Sequence, residues 1–124
     1  MRVARRLLQW ASEHQLRIWW GKGSQAGSFF PMLDSQGKQY WSLSVWTYGR
    51  IEIQFQMMKT SPPFDAEAKR IELLSQLNAL PGVSLPPDAI TRRPSIPLSL
   101  LQDDAVLQQF LAICDWIIQE SAAC

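Results

Sequence analysis

The side chains in this sequence best suited to chemistry are aromatic and basic residues that alternate along predicted strands. Trp46 and Arg50 flank a short turn, and Arg17 and Trp19 alternate along an earlier segment. Aromatic rings interleaved with arginine on an open antiparallel sheet are a common device for stacking and holding single-stranded nucleic acid. The pattern therefore predicts a candidate binding surface.

This candidate surface belongs to the basic half of the chain. Residues 1–60 carry eight basic and three acidic side chains, whereas residues 61–124 carry four basic and eight acidic ones. Such polarity can steer an anionic partner to one end of a molecule or let two copies meet head to tail, although charge is also uneven in many small proteins. The candidate nucleic-acid-binding residues are Arg2, Arg5, Arg6, Arg17, Trp19, Lys22, Trp46 and Arg50.

The acidic half offers an alternative, a surface for protein–protein interaction with another copy or with a larger complex. Residues 81–97 hold five prolines, with Arg92 and Arg93 in their middle, and long connections without regular structure are often functional. Trp116 lies off the apolar stripe of the last predicted helix. An exposed tryptophan there would be a contact residue, but packing against the proline-rich connection would explain it equally well. A third possibility is a small-ligand pocket lined by tryptophans.

The sequence contains no convergent catalytic set, so we expect a protein that is not an enzyme. The single histidine, His14, is expected to pack or cap the first helix, and no G-x-S-x-G elbow occurs. The loop 21–24 (Gly-Lys-Gly-Ser) lies between two predicted strands, where no helix dipole would help to bind a phosphate. Asp34 and Glu52 would be separated by about 30 Å along the predicted strands, too far to share a nuclease metal.

Cysteine usage and hydropathy indicate a cytoplasmic protein without a metal or cofactor. The two cysteines, Cys114 and Cys124, suit neither a disulfide framework nor a zinc site, and free thiols are typical of a reducing compartment. The N-terminus has no long apolar region of the signal-peptide kind. No run of apolar residues is long enough to span a membrane.

The elements that must position these residues form one α+β domain over residues 1–124. Apolar spacing predicts an N-terminal helix over 2–14 and helices over 65–80 and 103–121, with Asp65 and Asp103 at the starts of the last two. Strands are predicted over 16–20, 28–33, 39–46 and 50–58. This order indicates a four-stranded antiparallel meander with the two C-terminal helices packed on the sheet.

The last two strands also predict their own pairing. Only a three-residue loop over 47–49 keeps the apolar residues of both strands on one face. This loop pairs Trp46 with Arg50, in a contact suited to a cation–π interaction. Gly49 then takes the left-handed position that such a loop requires. The opposite face collects polar and aromatic side chains, namely Tyr40, Ser42, Ser44, Trp46, Arg50, Gln54 and Gln56, with Phe30, Met32, Arg17 and Trp19 as further members.

Whether a helix covers this second face is left open by the sequence. Three helices are available, and any of them could turn its aromatic side chains into ordinary core. Trp10, Trp20 and Trp41 lie on apolar stripes and are expected in the core. Arg70 lies within the apolar stripe of the second helix, where we expect its stem to be buried and its charge to reach solvent.

Overall fold

The fold is α+β, as predicted, with an antiparallel sheet and four α-helices. The computed structural model describes residues 2–20, 28–35, 38–46 and 49–122, without the side chains of Arg2, Trp19, Ser35, Lys38 and Trp41. The predicted loop 21–24, including Lys22, lies outside the described residues. The helices are α1 (Arg2–Glu13), α2 (Phe55–Met58), α3 (Glu67–Asn78) and α4 (Asp104–Ala122). The strands are β1 (Arg17–Trp20), β2 (Ser28–Ser35), β3 (Lys38–Trp41), β4 (Leu43–Trp46), β5 (Arg50–Ile53) and β6 (Ser95–Pro97).

The sheet has two more strands than predicted. Its order is β1-β2-β4-β5-β6, with β3 also paired to β2, and every pair is antiparallel. The strand β6 comes from the proline-rich segment 81–97, which also forms a 3₁₀ helix over Pro87–Thr91. Pro94 and Pro97 are tolerated there because a strand at the sheet edge can do without some N–H donors.

The hairpin register between β4 and β5 is confirmed. Val45 lies opposite Ile51, Leu43 opposite Ile53 and Trp46 opposite Arg50. Gly49 has a φ of +134°, and its N–H donates to the carbonyl oxygen of Trp46 at 2.9 Å. The positive φ explains the glycine, because other residues rarely adopt it.

The prediction that this strand continues to residue 58 is wrong. The strand ends at Ile53 because the carbonyl oxygen of Gln54 accepts the N–H groups of Met57 and Met58 and so starts the short helix α2. Phe55 is thereby turned into the core instead of pairing with Trp41.

A β-bulge divides the predicted strand 39–46 into β3 and β4. Met32 lies opposite Trp41 and Phe29 lies opposite Val45, so the chain around Ser42 has one residue more than β2 between these pairs. An extra residue reverses the face on which the preceding residues lie. Tyr40 therefore pairs with Leu33 and leaves the face of Trp46, where the alternation had placed it.

The helices pack their apolar stripes on one face of the sheet. The core contains Phe29, Val45, Ile51 and Ile96 from neighbouring strands, together with the buried apolar residues of α1, α3 and α4. Burying large side chains such as Phe110 from α4 supplies the main driving force, about 1.5–3 kcal/mol for each.

The helix ends show three local solutions. Asp103 caps α4 as predicted, because its Oδ1 accepts the N–H of Ala105 at 2.9 Å. Asp65 does not cap α3, whose N-cap is Ala66 without a side-chain hydrogen bond. At the end of α1, the N–H groups of Gln15 and Leu16 donate to Ser12 and Ala11. This is a Schellman arrangement with Gln15, at φ 58°, in the position usually held by glycine.

One expectation about burial is corrected. Trp10 is buried, as expected. Trp20 is 60% exposed, although its ring lies 5.8 Å from that of Phe29, because it stands at the end of the edge strand β1. The side chain of Trp41 lies outside the described set. Arg70 is only 8% exposed, so its stem is buried as expected, and its Nη1 donates to the carbonyl oxygen of Ile90 at 2.8 Å.

The two edges of the sheet differ. The strand β6 is three residues long and is bounded by Pro94 and Pro97, and proline and shortness both hinder further strand pairing. The outer side of β1 pairs with no described strand. The last residue of β1, Trp20, is exposed.

Candidate functional site: the polar sheet face

Side chains from four strands meet on the face of the sheet that lies opposite the core. Register and alternation place Phe30 of β2, Ser44 and Trp46 of β4, Arg50 and Glu52 of β5 and Ser95 of β6 on this polar sheet face. The buried apolar residues of α1, α3 and α4 all belong to the core on the other side. None of these three helices therefore covers the polar sheet face around Trp46.

Trp46 is held in place at the centre of the polar sheet face. Its indole Nε1–H donates to Oε1 of Glu52 at 2.7 Å, and the ring of Phe30 meets it edge-on at a centroid distance of 6.3 Å. Both rings are half-buried. A side chain fixed in this way keeps its orientation for a partner and loses little conformational entropy on binding.

Arg50 stands beside this aromatic pair, and its Nε–H donates to Oγ of Ser95 at 2.9 Å. The N–H of Ile53 donates to the carbonyl oxygen of Pro94 and so extends the pairing of β5 with β6 by one residue. The exposed Arg93 precedes Pro94 and lies about 13 Å along the strand from the level of Arg50. No described carboxylate forms an ion pair with Arg50 or Arg93.

A buried hydrogen bond lies beneath the exposed side chains of the polar sheet face. The side-chain Nε2 of Gln54 donates to Oγ of Ser44 at 2.9 Å, and both residues are almost fully buried. The Oε1 of Gln54 has no hydrogen-bond partner. An unpaired buried acceptor lowers stability. The position of the Gln54 side chain is therefore fixed by the packing around it and by one hydrogen bond, not by a complete set of hydrogen bonds.

The predicted nucleic-acid-binding residues do not all lie on one surface. The helix α1 packs on the core face, so its exposed Arg5 points away from the polar sheet face, and Arg6 lies 3.6 Å from Glu13. Arg17 reaches the polar face but is paired with Asp34 through two hydrogen bonds, at 3.0 and 3.2 Å. The hydrogen bond and charge of Arg17 lower the pKa of Asp34. The side chains of Arg2 and Trp19, and all of Lys22, lie outside the described residues.

The predicted protein-interaction residues are also separated. Arg92 pairs with Asp88 at 2.8 Å, whereas Arg93 lies next to β6 without a described carboxylate partner. Trp116 is half-buried and packs edge-on against Phe64, in the segment before α3, at 5.6 Å.

Trp116 and its neighbours form a small polar and aromatic cluster. The Nζ of Lys69 lies 5.6 Å from the centroid of the Trp116 ring, a cation–π distance. The same ammonium donates to Glu120. This cluster links α3 to α4.

A cavity of about 310 Å³ lies where the polar sheet face ends at Met32. It is bounded by β2, β3, α2, the segment that follows α2 and the end of α4. Its described lining residues are Met32, Gln39, Tyr40, Ser42, Met57, Met58, Thr60, Ser61, Phe64 and Ser121. No tryptophan is among these described residues, and the side chain of Trp41, which lies between Tyr40 and Ser42 in the chain, is outside the described set, so the tryptophan-lined pocket stays a prediction.

The titratable groups described outside this face form no recognisable catalytic set. The Trp10 Nε1–H donates to Oδ1 of Asp115 at 2.7 Å, and Nε2 of His14 lies 2.9 Å from the same oxygen. His14 thus packs at the end of α1, as expected, and ties it to α4. Burial strongly raises the pKa of the Cys114 thiol, which disfavours its thiolate.

Within the ranges that the structure describes, no three His, Cys, Asp or Glu side chains converge on a possible metal position.

Trp46, Arg50 and the polar character of this face were predicted from the sequence, whereas Arg93 was assigned to a different site. The pairing of β6 with β5 brings Arg93 to the same edge of the sheet, and only the alternation of Arg93, Ser95 and Pro97 could have suggested it.

Comparison with known proteins adds no assignment. No protein-family model, curated protein or solved structure matches this chain. Among the described helices, none is both long enough and apolar enough to cross a membrane.

Proposed function

We propose that this chain is a non-enzymatic, cytoplasmic binding domain that holds single-stranded nucleic acid on its polar sheet face. The observation that supports the proposal is the meeting of Trp46 and Phe30 with Arg50, which no described carboxylate neutralises. Stacked aromatic rings bind bases of any sequence, and nearby arginines bind the backbone phosphates.

The pairing of aromatic rings with an arginine favours a strand on this face over one on α1. Around Trp46 the described charges are those of Arg50 and Glu52. Glu52 accepts the indole hydrogen of Trp46, so its charge is partly satisfied within the protein. Arg17 contributes less, because Asp34 already binds its guanidinium group at two points.

The test is the affinity of the whole chain for fluorescently labelled oligothymidylate and oligouridylate, measured by anisotropy at low salt. The Trp46→Ala, Arg50→Ala double variant should lose most of the binding, since stacking on one aromatic ring alone is worth about 1–3 kcal/mol. Trp20→Ala is the matched control for an exposed tryptophan that lies off this face. Arg92→Ala is the control for an exposed arginine already paired with a carboxylate.

Absence of binding by the unaltered chain at low salt would refute the proposal. Equal loss of binding in Trp20→Ala would place the contact on the β1 edge of the sheet and not on the polar sheet face.

A second candidate function is protein–protein interaction through β1. It is favoured by the exposed ring of Trp20 on a strand whose outer side pairs with no described strand, because partners often add a strand to such an edge. Light scattering over a range of concentrations tests it. A self-associating chain should become monomeric in the Trp20→Ala variant, and a mass that stays monomeric throughout would argue against pairing of two copies.

A further inference from the structure

We propose that the cavity beyond Met32 receives one base of the bound strand. This inference rests on the proposed function. It assigns a separate site to one base of the strand, whereas the polar sheet face binds the neighbouring bases. Four properties of the cavity support it: its position, its lack of charge, the chemistry of its walls and its size.

The cavity borders the polar sheet face at Met32. Phe30 and Met32 are two residues apart on β2 and lie on the same face, about 7 Å from each other at the usual rise of a strand. Phe30 contacts Trp46, and Met32 lines the cavity, which also extends to Tyr40 and to Ser121 of α4 on the core side. A strand stacked on Trp46 and Phe30 that runs along β2 therefore passes next to the cavity at Met32.

The described lining offers a phosphate no charged partner. None of the ten described lining residues carries a formal charge at neutral pH. Burying an ion without a partner costs far more than burying a neutral group. The phosphates therefore stay outside with Arg50 and Arg93, and the neutral part of a nucleotide enters.

The walls suit a flat aromatic ring. Met32, Met58 and Phe64 are almost fully buried, and Met57 is 42% exposed. Methionine sulfur makes favourable contacts with aromatic rings, and its unbranched chain adapts to their shape. The exposed Met57 is an apolar side chain that a base could cover on entering.

The rim offers hydrogen-bonding groups that the fold leaves unused. No described residue hydrogen-bonds the side chains of Gln39, Ser42 or Ser61, all of which line the cavity. An amide supplies both a donor and an acceptor, and each hydroxyl group supplies either. Such groups match the edge of a base, which carries donors and acceptors side by side.

The volume limits the occupant to one ring system. About 310 Å³ lies at the lower end of the range of about 300–1,000 Å³ found for small-molecule pockets. The cavity can thus hold a single base, while neighbouring bases remain stacked on the open face.

The first experiment fills the cavity. Ser42→Leu adds apolar volume at the lining, and Ser75→Leu makes the same change at an exposed position of α3. We expect Ser42→Leu to weaken oligothymidylate binding about tenfold, the loss of one base contact, and Ser75→Leu to leave it unchanged. Thermal unfolding of both variants checks that they fold.

Two outcomes separate this inference from the proposed function. If Ser42→Leu folds and binds like the unaltered chain while the Trp46→Ala, Arg50→Ala variant does not, the cavity proposal is wrong and the proposed function stands. If the unaltered chain binds no oligonucleotide, both fail. Free thymidine and adenosine are titrated as well, and binding of these without any oligonucleotide binding would overturn the role assigned to the strand.

A second measurement uses the unaltered chain and does not depend on how Ser42→Leu folds. An oligonucleotide containing 5-iodouridine is photo-crosslinked, and the modified residue is located by peptide mass spectrometry. We expect crosslinks at Tyr40 or Phe64 in addition to Trp46. Crosslinks confined to Trp46 and Phe30 would show that no base enters the cavity.

Discussion

Replacing Arg50 and Arg93 together by alanine should change how binding depends on salt. Each phosphate neutralised on a single strand releases counterions and contributes about 0.7 to the slope of log affinity against log salt concentration. The two arginines that lack a described carboxylate partner would therefore supply about 1.4 of the total slope. Between 50 and 200 mM salt this corresponds to about a sevenfold change in affinity.

The assay is a series of anisotropy titrations with labelled oligothymidylate over that salt range. The double variant should bind more weakly at low salt and should lose less affinity as salt rises. Arg5→Ala is the control, because Arg5 is exposed on α1 and points away from the polar sheet face. An unchanged slope in the double variant would refute the assignment of phosphate contacts to Arg50 and Arg93. A reduced slope in Arg5→Ala would place the strand on the α1 side.

Three further predictions concern stability and reactivity. Gln15→Gly should stabilise the fold by about 0.5–1 kcal/mol in urea unfolding, because glycine takes a positive φ without steric cost; a destabilised variant would contradict the Schellman assignment. Asp103→Ala should destabilise it by about 1 kcal/mol through loss of the α4 cap, and an unchanged midpoint would argue against the cap. Burial raises the pKa of the Cys114 thiol in the folded protein, whereas a thiol in the unfolded chain has a pKa of about 8.5. The contribution of Cys114 to stability is therefore fully present below about pH 8.5 and declines as the pH rises above that value. Iodoacetamide should accordingly label Cys114 only as fast as the chain unfolds, as peptide mass spectrometry can measure; equal labelling with and without urea would contradict this.

The alternation of residues was enough to predict the hairpin of β4 and β5. One face of each strand is apolar, so only one register keeps both apolar faces together, and Gly49 fits the turn that this register demands. The bulge at Ser42 was not predictable in the same way. Serine is compatible with either face, so the local pattern does not show where the extra residue is inserted.

The candidate site was predicted in part, for reasons that differ between residues. Trp46 and Arg50 are neighbours across a tight turn, and local patterning is sufficient to bring them together. Arg93 reaches the same face only because a distant segment pairs with β5, and its sequence separation hides that contact. The pairing of Arg17 with Asp34 is hidden for the same reason, and it removes an expected phosphate contact.

The unequal edges of the sheet set a limit on assembly. Among the described strands, β1 and β3 each have one side that pairs with no other strand, whereas β6 is short and bounded by Pro94 and Pro97. Two copies that paired through β1 would form a two-fold symmetric contact. Such pairing closes with the second molecule, so the β1 edges of both copies are then unable to add a further copy.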